Sequence, residues 1–268
     1  MQAIAAREGE ILHFTFLMLQ GLGLPRFPGD MAATEEIVLR WTHITAAIIW
    51  IGLLYFFNLI ATPAMKELDP SVRGKLVPVL MRRAMWWFRW SALITVLAGL
   101  RYFWLLLAVD AANDGNSMLA WRWLGEWFGV WIVAYALIYP LQMPRKGLMD
   151  NPWFRAIAIG SIAFLAAVVV LELNASAPAS NNHLAIAAGG GLGLLMLLNT
   201  WGVVWRAQKR LIFWTEENVE RGTPMPERAA YLARWSFLAG RTGFWMSFPL
   251  IFFMAAAGHY PFLYSITN

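Results

Sequence analysis

The chain has 268 residues, of which 59% are hydrophobic and only 14% charged, and its mean hydropathy is +0.53. A soluble domain carries about 25% charged residues, so an ordinary water-soluble fold is excluded. The absence of cysteine excludes a covalently attached c-type haem, cysteine-ligated iron–sulfur clusters and cysteine zinc sites, leaving His, Met, Asp, Glu or Tyr to hold any cofactor. The net charge of +5 does not point to nucleic acid, because the basic residues gather between apolar runs, as membrane topology requires.

Residues 1–35 open with a polar, mixed-charge stretch and continue into Ile11–Leu24, which ends at Pro25. About 14 apolar residues are too few to cross a bilayer, and no small-residue cleavage site follows, so this segment reads as an interfacial or re-entrant helix. His13 within it is an interfacial polar contact. From residue 36 to 268 the chain reads as one transmembrane helical domain.

The first crossing is Ile37–Ala61, interrupted by Arg40, His43 and Asn58 and ended by Pro63. At about 1.5 Å per residue it covers a hydrocarbon core of roughly 30 Å with some tilt. A basic loop with Lys66, Arg73, Lys75, Arg82 and Arg83 leads to the second crossing, Trp87–Val109, entered through Trp86, Trp87 and Trp90 at headgroup level. Asp110–Ser117 is a polar turn without Lys or Arg. The third crossing is Trp123–Leu141, followed by Arg145 and Lys146, and the fourth is Ala156–Leu173. The fifth is Leu184–Trp205 and the sixth Gly243–Gly258. Between them Arg206–Arg241 mixes charges with Leu211, Ile212, Phe213 and Trp214, as a helix leaving along the membrane surface does, and residues 229–240 form a helix leading into the last crossing. The expected fold is therefore an all-α integral membrane bundle of about six transmembrane helices, with an N-terminal interfacial helix and a cytoplasmic helical segment.

The loops after crossings one, three and five hold 15 of the 21 Lys and Arg residues, and the polar turns Asp110–Ser117 and Asn174–Asn182 hold none. The positive-inside rule makes the basic loops cytoplasmic and the C-terminal tail external. Eight polar residues then fall in the outer half or at its rim: Arg40, His43, Arg101, Arg122, Glu126, Glu172, His183 and His259. His43 lies roughly 10 Å below the surface. Arg122 and Glu126 are spaced to pair on one helix face. Charged residues near helix ends snorkel to the headgroups, a sufficient role for Arg40, Arg122, Glu172 and His183. His43 in the bland reading bonds a neighbouring carbonyl, and His259, after Gly258, caps a helix. In the sharper reading His43 and His259 ligate a b-type haem near the outer face, with Arg40 and Arg101 binding its propionates. Glycines 189, 190, 191 and 193 suit close helix packing, or the flat face of a macrocycle.

Trp41–Gly52 (WTHITAAIIWIG), Trp87–Trp90 (WFRW), Leu197–Arg210 (LLNTWGVVWRAQKR) and Phe248–Pro261 (FPLIFFMAAAGHYP) resemble, in order, segments of the membrane domain of bacterial cytochrome c-type urate oxidases (urate hydroxylases). The resemblance runs from about Leu39 to Pro261. It implies an oxidoreductase unit in the bacterial cytoplasmic membrane, in which His43 and His259 stand at the family's first-span and last-span histidines, and it covers Asn199 and Gln208–Arg210. The chain departs from the family pattern at Val77–Arg83, which lacks histidine, at Ala187 where a family histidine falls, and at Arg241–Gly243 in place of a His-Asn-Asn stretch. The family's cytochrome c domain is not among these residues, so the electron acceptor implied is a separate periplasmic cytochrome c. The expectation is a membrane redox protein with haem b. The alternative is a non-catalytic subunit anchoring or scaffolding a larger respiratory or photosynthetic complex. A small-solute carrier ranks behind both, since no internal repeat or pair of broken helices supports it.

Overall fold

The computed structural model describes residues 29–175 and 179–263. Among them there is no β-strand, and six helices are long and apolar enough to cross a membrane. They are α1 (Met31–Glu67), α2 (Pro70–Asn113), α3 (Met118–Leu141), α4 (Pro152–Asn174), α5 (Asn181–Arg221) and α6 (Arg228–Ala256). The chain is an all-α, multi-pass membrane protein in contact with the lipid bilayer. The expected interfacial helix, with Ile11–Leu24 and His13, lies outside the described residues.

Two units divide the chain, Met1–Val38 and Leu39–Asn268. In the described part of the first, the Asp30 carboxylate accepts from the backbone N–H groups of Ala32 and Ala33 at 3.1 and 3.4 Å. It thereby satisfies donors that the first turn of α1 leaves without intrahelical partners.

In the larger unit three helix boundaries depart from expectation. Pro63 does not end α1, which runs on to Glu67 through a π-helical turn at Phe56–Ala61. Proline lacks an N–H and its ring crowds the carbonyl four residues back, and the wide turn just ahead of it absorbs both. Thr62 donates its backbone N–H and its hydroxyl (2.7 Å) to the Phe57 carbonyl, and the Asn58 amide donates to Leu54 at 2.9 Å. The second departure is α2, which starts at Pro70, so that the expected basic loop is largely helix. Its 44 residues span about 66 Å, roughly twice the hydrocarbon thickness.

The third departure is α5. Residues 206–221 do not turn off along a membrane surface but continue the helix through a second π-helical turn, Thr200–Val204, into Trp205–Arg221. An amphipathic segment must cover its apolar stripe, and here the overlong start of α2 does so. Gly74 lies so close to Val219 that a Cβ there would sit 3.0 Å from Cγ2, and Arg82 forms an ion pair with Glu216. Gly222, at φ +69°, ends α5 in the left-handed conformation that glycine adopts without penalty.

Helix α5 is the axis of the bundle, with α2, α3, α4 and α6 packed around it. Between helices in lipid the attraction is van der Waals contact, which small residues permit by close approach. Gly191 carries the face of Trp131, an indole with no exposed surface, and a Cβ at Gly191 would fall 1.7 Å from Trp131 Cε2. Gly189 likewise receives α6, where a Cβ would lie 2.8 Å from that of Phe253. Three junctions, α1–α2, α3–α4 and α5–α6, share the end of the bundle where Lys and Arg concentrate, called here the basic end.

Candidate functional site

Helix α1 approaches the other backbones most closely at its π-helical turn, against α6. Between Arg40 and Ile51 it lines a cavity of about 210 Å³, or about 1120 Å³ with its open mouth, together with α2, α5 and α6. The cavity is in the half of the bundle away from the basic end. Its lining is mainly apolar, with Arg40, His43, Thr95 and Tyr102 as the polar exceptions.

Local sequence explains how His43 is held. The ring Nδ1 lies 2.8 Å from the Thr95 carbonyl of α2. A carbonyl only accepts, so Nδ1 carries the proton and the neutral ring keeps its lone pair on Nε2. The approach is open because position 99, one turn beyond Thr95, is glycine, where a Cβ would lie 2.7 Å from Nδ1 and 2.8 Å from Cε1. Thr95 turns its own hydroxyl to the Ser91 carbonyl at 2.7 Å and does not compete for the imidazole. Arg40, one turn before His43, lies with its guanidinium carbon 5.9 Å from the Tyr102 ring centre. Gly189, Gly190 and Gly193 form part of the opposite wall with Met254, whose methyl would meet a Cβ at Gly189 at 2.9 Å.

The candidates named from the sequence therefore separate. Arg40 and His43 line one cavity. His259 does not line it. It is exposed in the turn after α6, with its backbone N–H donating to Ala256 at 3.1 Å. Arg101 lies on an exposed face of α2, outside the lining. Arg122 and Glu126 pair at 3.5 Å as their spacing requires. Among the described residues no three His, Asp or Glu side chains gather as a metal cluster. The side chains that fit a haem are the neutral imidazole of His43, held by a backbone acceptor as metal-ligating histidines are, and the Met254 thioether on another wall.

A second polar site was not legible as one. His183, expected to snorkel, is 0% exposed. Its Nδ1 lies 3.1 Å from Asp110 Oδ2 and its Nε2 3.0 Å from Asn174 Oδ1. Asp110 also accepts from the backbone N–H and the hydroxyl of Ser180, each at 2.9 Å, and that hydroxyl accepts the His183 N–H at the start of α5. The group ties the ends of α2 and α4 to the start of α5. The signal available was that alternating crossings put these four polar residues at one end. Arg89, overlooked beside the tryptophans at headgroup level, sits 3.8 Å from the Trp205 ring centre, with Trp90 and Trp201 at 5.6 and 5.7 Å. Asn199 is buried, and neither atom of its amide meets a hydrogen-bonding partner among the described residues.

No protein-family model, curated protein or solved structure matches this chain.

Proposed function

We propose that this chain is a membrane redox protein that holds a b-type haem in the cavity beside α1, with His43 as an axial ligand. The observation that carries the reading is the His43 ring, fixed by the Thr95 carbonyl in the tautomer that leaves Nε2 able to ligate, inside an apolar cavity with an arginine at its edge. A histidine in a crossing helix needs a function to offset its cost, and ligation is one that uses the lone pair the backbone bond leaves over. When bound, the haem supplies one-electron transfer. Arg40 suits a propionate carboxylate, Gly99 admits the imidazole ring, and Gly189, Gly190 and Gly193 of α5 line the cavity with mainly apolar neighbours. Met254 is the second ligand favoured here in place of His259, because it shares the cavity with His43. The partner drawn from the resemblance, a separate cytochrome c, docks on the face away from the basic end, the periplasmic face of a bacterial inner membrane under the positive-inside rule.

The test is a reduced-minus-oxidised spectrum with haem quantitation on the purified chain, its His43→Ala and its His259→Ala variants. A b-type band present in the parent, lost in His43→Ala and kept in His259→Ala, is the expected result. A parent that stays colourless when haem supply is ample, and that co-purifies with large membrane partners, overturns it in favour of a scaffolding subunit.

A further inference from the structure

Helices α4 and α6 each pack against α5 and leave a groove between them, with Leu192 of α5 in its lining. The groove has a volume of about 710 Å³. Its lining runs from Pro152 to Leu171 on α4 and from Arg234 to Phe253 on α6, both helices leaving the basic end. Each of these two spans makes the groove about 28 Å long, close to the thickness of the hydrocarbon core.

The two ends of the groove differ chemically. Toward the basic end it is lined by Arg155, Arg234 and Arg241. Arg234 and Arg241 both contact the ring of Phe237, each guanidinium carbon 5.8 Å from its centre, so one aromatic side chain is shared by two cations. Asp150 lies 3.6 Å from Arg234, so among the described residues Arg234 and Arg241 together meet one negative charge. From there on the lining is apolar apart from Thr242, whose hydroxyl donates to the Leu238 carbonyl at 2.9 Å, and on α4 it includes the small residues Ala156, Gly160 and Ala163 beside Ile159 and Phe164. A Cβ at Gly160 would have no heavy atom within 4 Å, so nothing in the fold itself asks for glycine there.

We propose that this groove is a binding site for one anionic phospholipid, with its phosphodiester against Arg234 and Arg241 and an acyl chain laid along Ala156, Gly160 and Ala163. Charge complementarity selects the occupant. A zwitterionic lipid brings its own ammonium to the arginines, and a second apolar helix brings no counter-charge to them, whereas a phosphatidylglycerol-type headgroup neutralises the excess and accepts the hydrogen bonds a guanidinium offers. The fit to bilayer depth is the same argument in length: charge at the level of the headgroups, room for hydrocarbon beneath it.

Native mass spectrometry of the detergent-solubilised full chain, titrated with phosphatidylglycerol and with phosphatidylcholine, tests the site. The expected result is a preference for phosphatidylglycerol that falls roughly fivefold for each of Arg234→Gln and Arg241→Gln. Gly160→Leu keeps every arginine and fills the groove, and it is expected to abolish the retained lipid while the melting temperature in phosphatidylcholine stays at the parent value. Equal binding of the two lipids, or a preference untouched by both arginine variants and by Gly160→Leu, overturns the proposal. So does a dimer that Gly160→Leu dissociates, which would assign the groove to a second copy of the chain.

Discussion

His183 Nδ1 lies 3.1 Å from Asp110 Oδ2, joining the start of α5 to the end of α2 across 73 residues of sequence. Buried polar groups of this kind are costly to leave without their partners. Asp110 accepts from three donors, and replacing it leaves the imidazole, the Ser180 amide and the Ser180 hydroxyl without their acceptor at once. Asp110→Ala is therefore expected to cost about 3 kcal/mol or more, read as a lower melting temperature in detergent. Because neither Asp110 nor His183 lines the cavity, any haem spectrum should keep its shape. An Asp110→Ala protein as stable as the parent would show that the cluster is not what holds these helix ends.

Neighbouring glycines on α5 give a sharper contrast. Gly191→Ala places a methyl 1.7 Å from Trp131 Cε2, inside a side chain that has nowhere exposed to go. Overpacking of this kind costs about 1–3 kcal/mol and more where the obstacle is rigid. At Gly190 the nearest heavy atom to a new methyl is Trp127 Cζ2 at 3.7 Å, an ordinary contact. Expression and thermal melting of the two variants should differ accordingly, with Gly190→Ala close to the parent and Gly191→Ala poorly folded.

Hydropathy locates the part of a helix that lies in hydrocarbon, so all six crossings were legible. It does not locate the ends of α2 or α5, because their extensions are charged helices that cover each other's apolar stripe outside the core. His43 stood out as a lone imidazole among Ile, Ala and Trp, and its cavity neighbour Arg40 stood out one turn away. The Thr95–Gly99 pair that receives the ring is ordinary helix sequence until α1 is laid beside it. His259 shared a depth with His43 by count, but depth along the normal carries no information about which face of the bundle a residue is on. The glycine run was ambiguous for the same reason: position 191 faces a tryptophan of α3, whereas 189, 190 and 193 line the cavity.

The clearance at Gly99 gives a test of the His43 site that does not remove the histidine. A methyl at this position would lie 2.7 Å from Nδ1, forcing the ring off the Thr95 carbonyl. Loss of the acceptor that orients a ligating histidine typically weakens metal affinity about 10- to 100-fold. Gly99→Ala is thus expected to lower haem content at limiting haem, or to shift the reduced band, with the helical circular dichroism unchanged. Full haem loading at parent affinity would mean that the Thr95 contact is only structural.

Arg89 offers a measurement of how the two overlong helices are held together. Its guanidinium carbon lies 3.8 Å from the Trp205 ring centre, just past the π-helical turn of α5, and its backbone carbonyl accepts from Trp201 Nε1 at 3.0 Å. The carbonyl bond does not involve the side chain, so Arg89→Leu keeps it and removes the guanidinium's contacts with Trp90, Trp201 and Trp205. A partly desolvated contact of this type contributes about 1–2 kcal/mol, and a double-mutant cycle with Trp205→Leu should return a coupling in that range. Arg89→Lys should recover only part of it, because an ammonium cannot lie flat on the indole as the planar guanidinium does. A coupling near zero would assign the junction to the remaining contacts between the helices, chiefly the Arg82–Glu216 pair and the Gly74–Val219 packing.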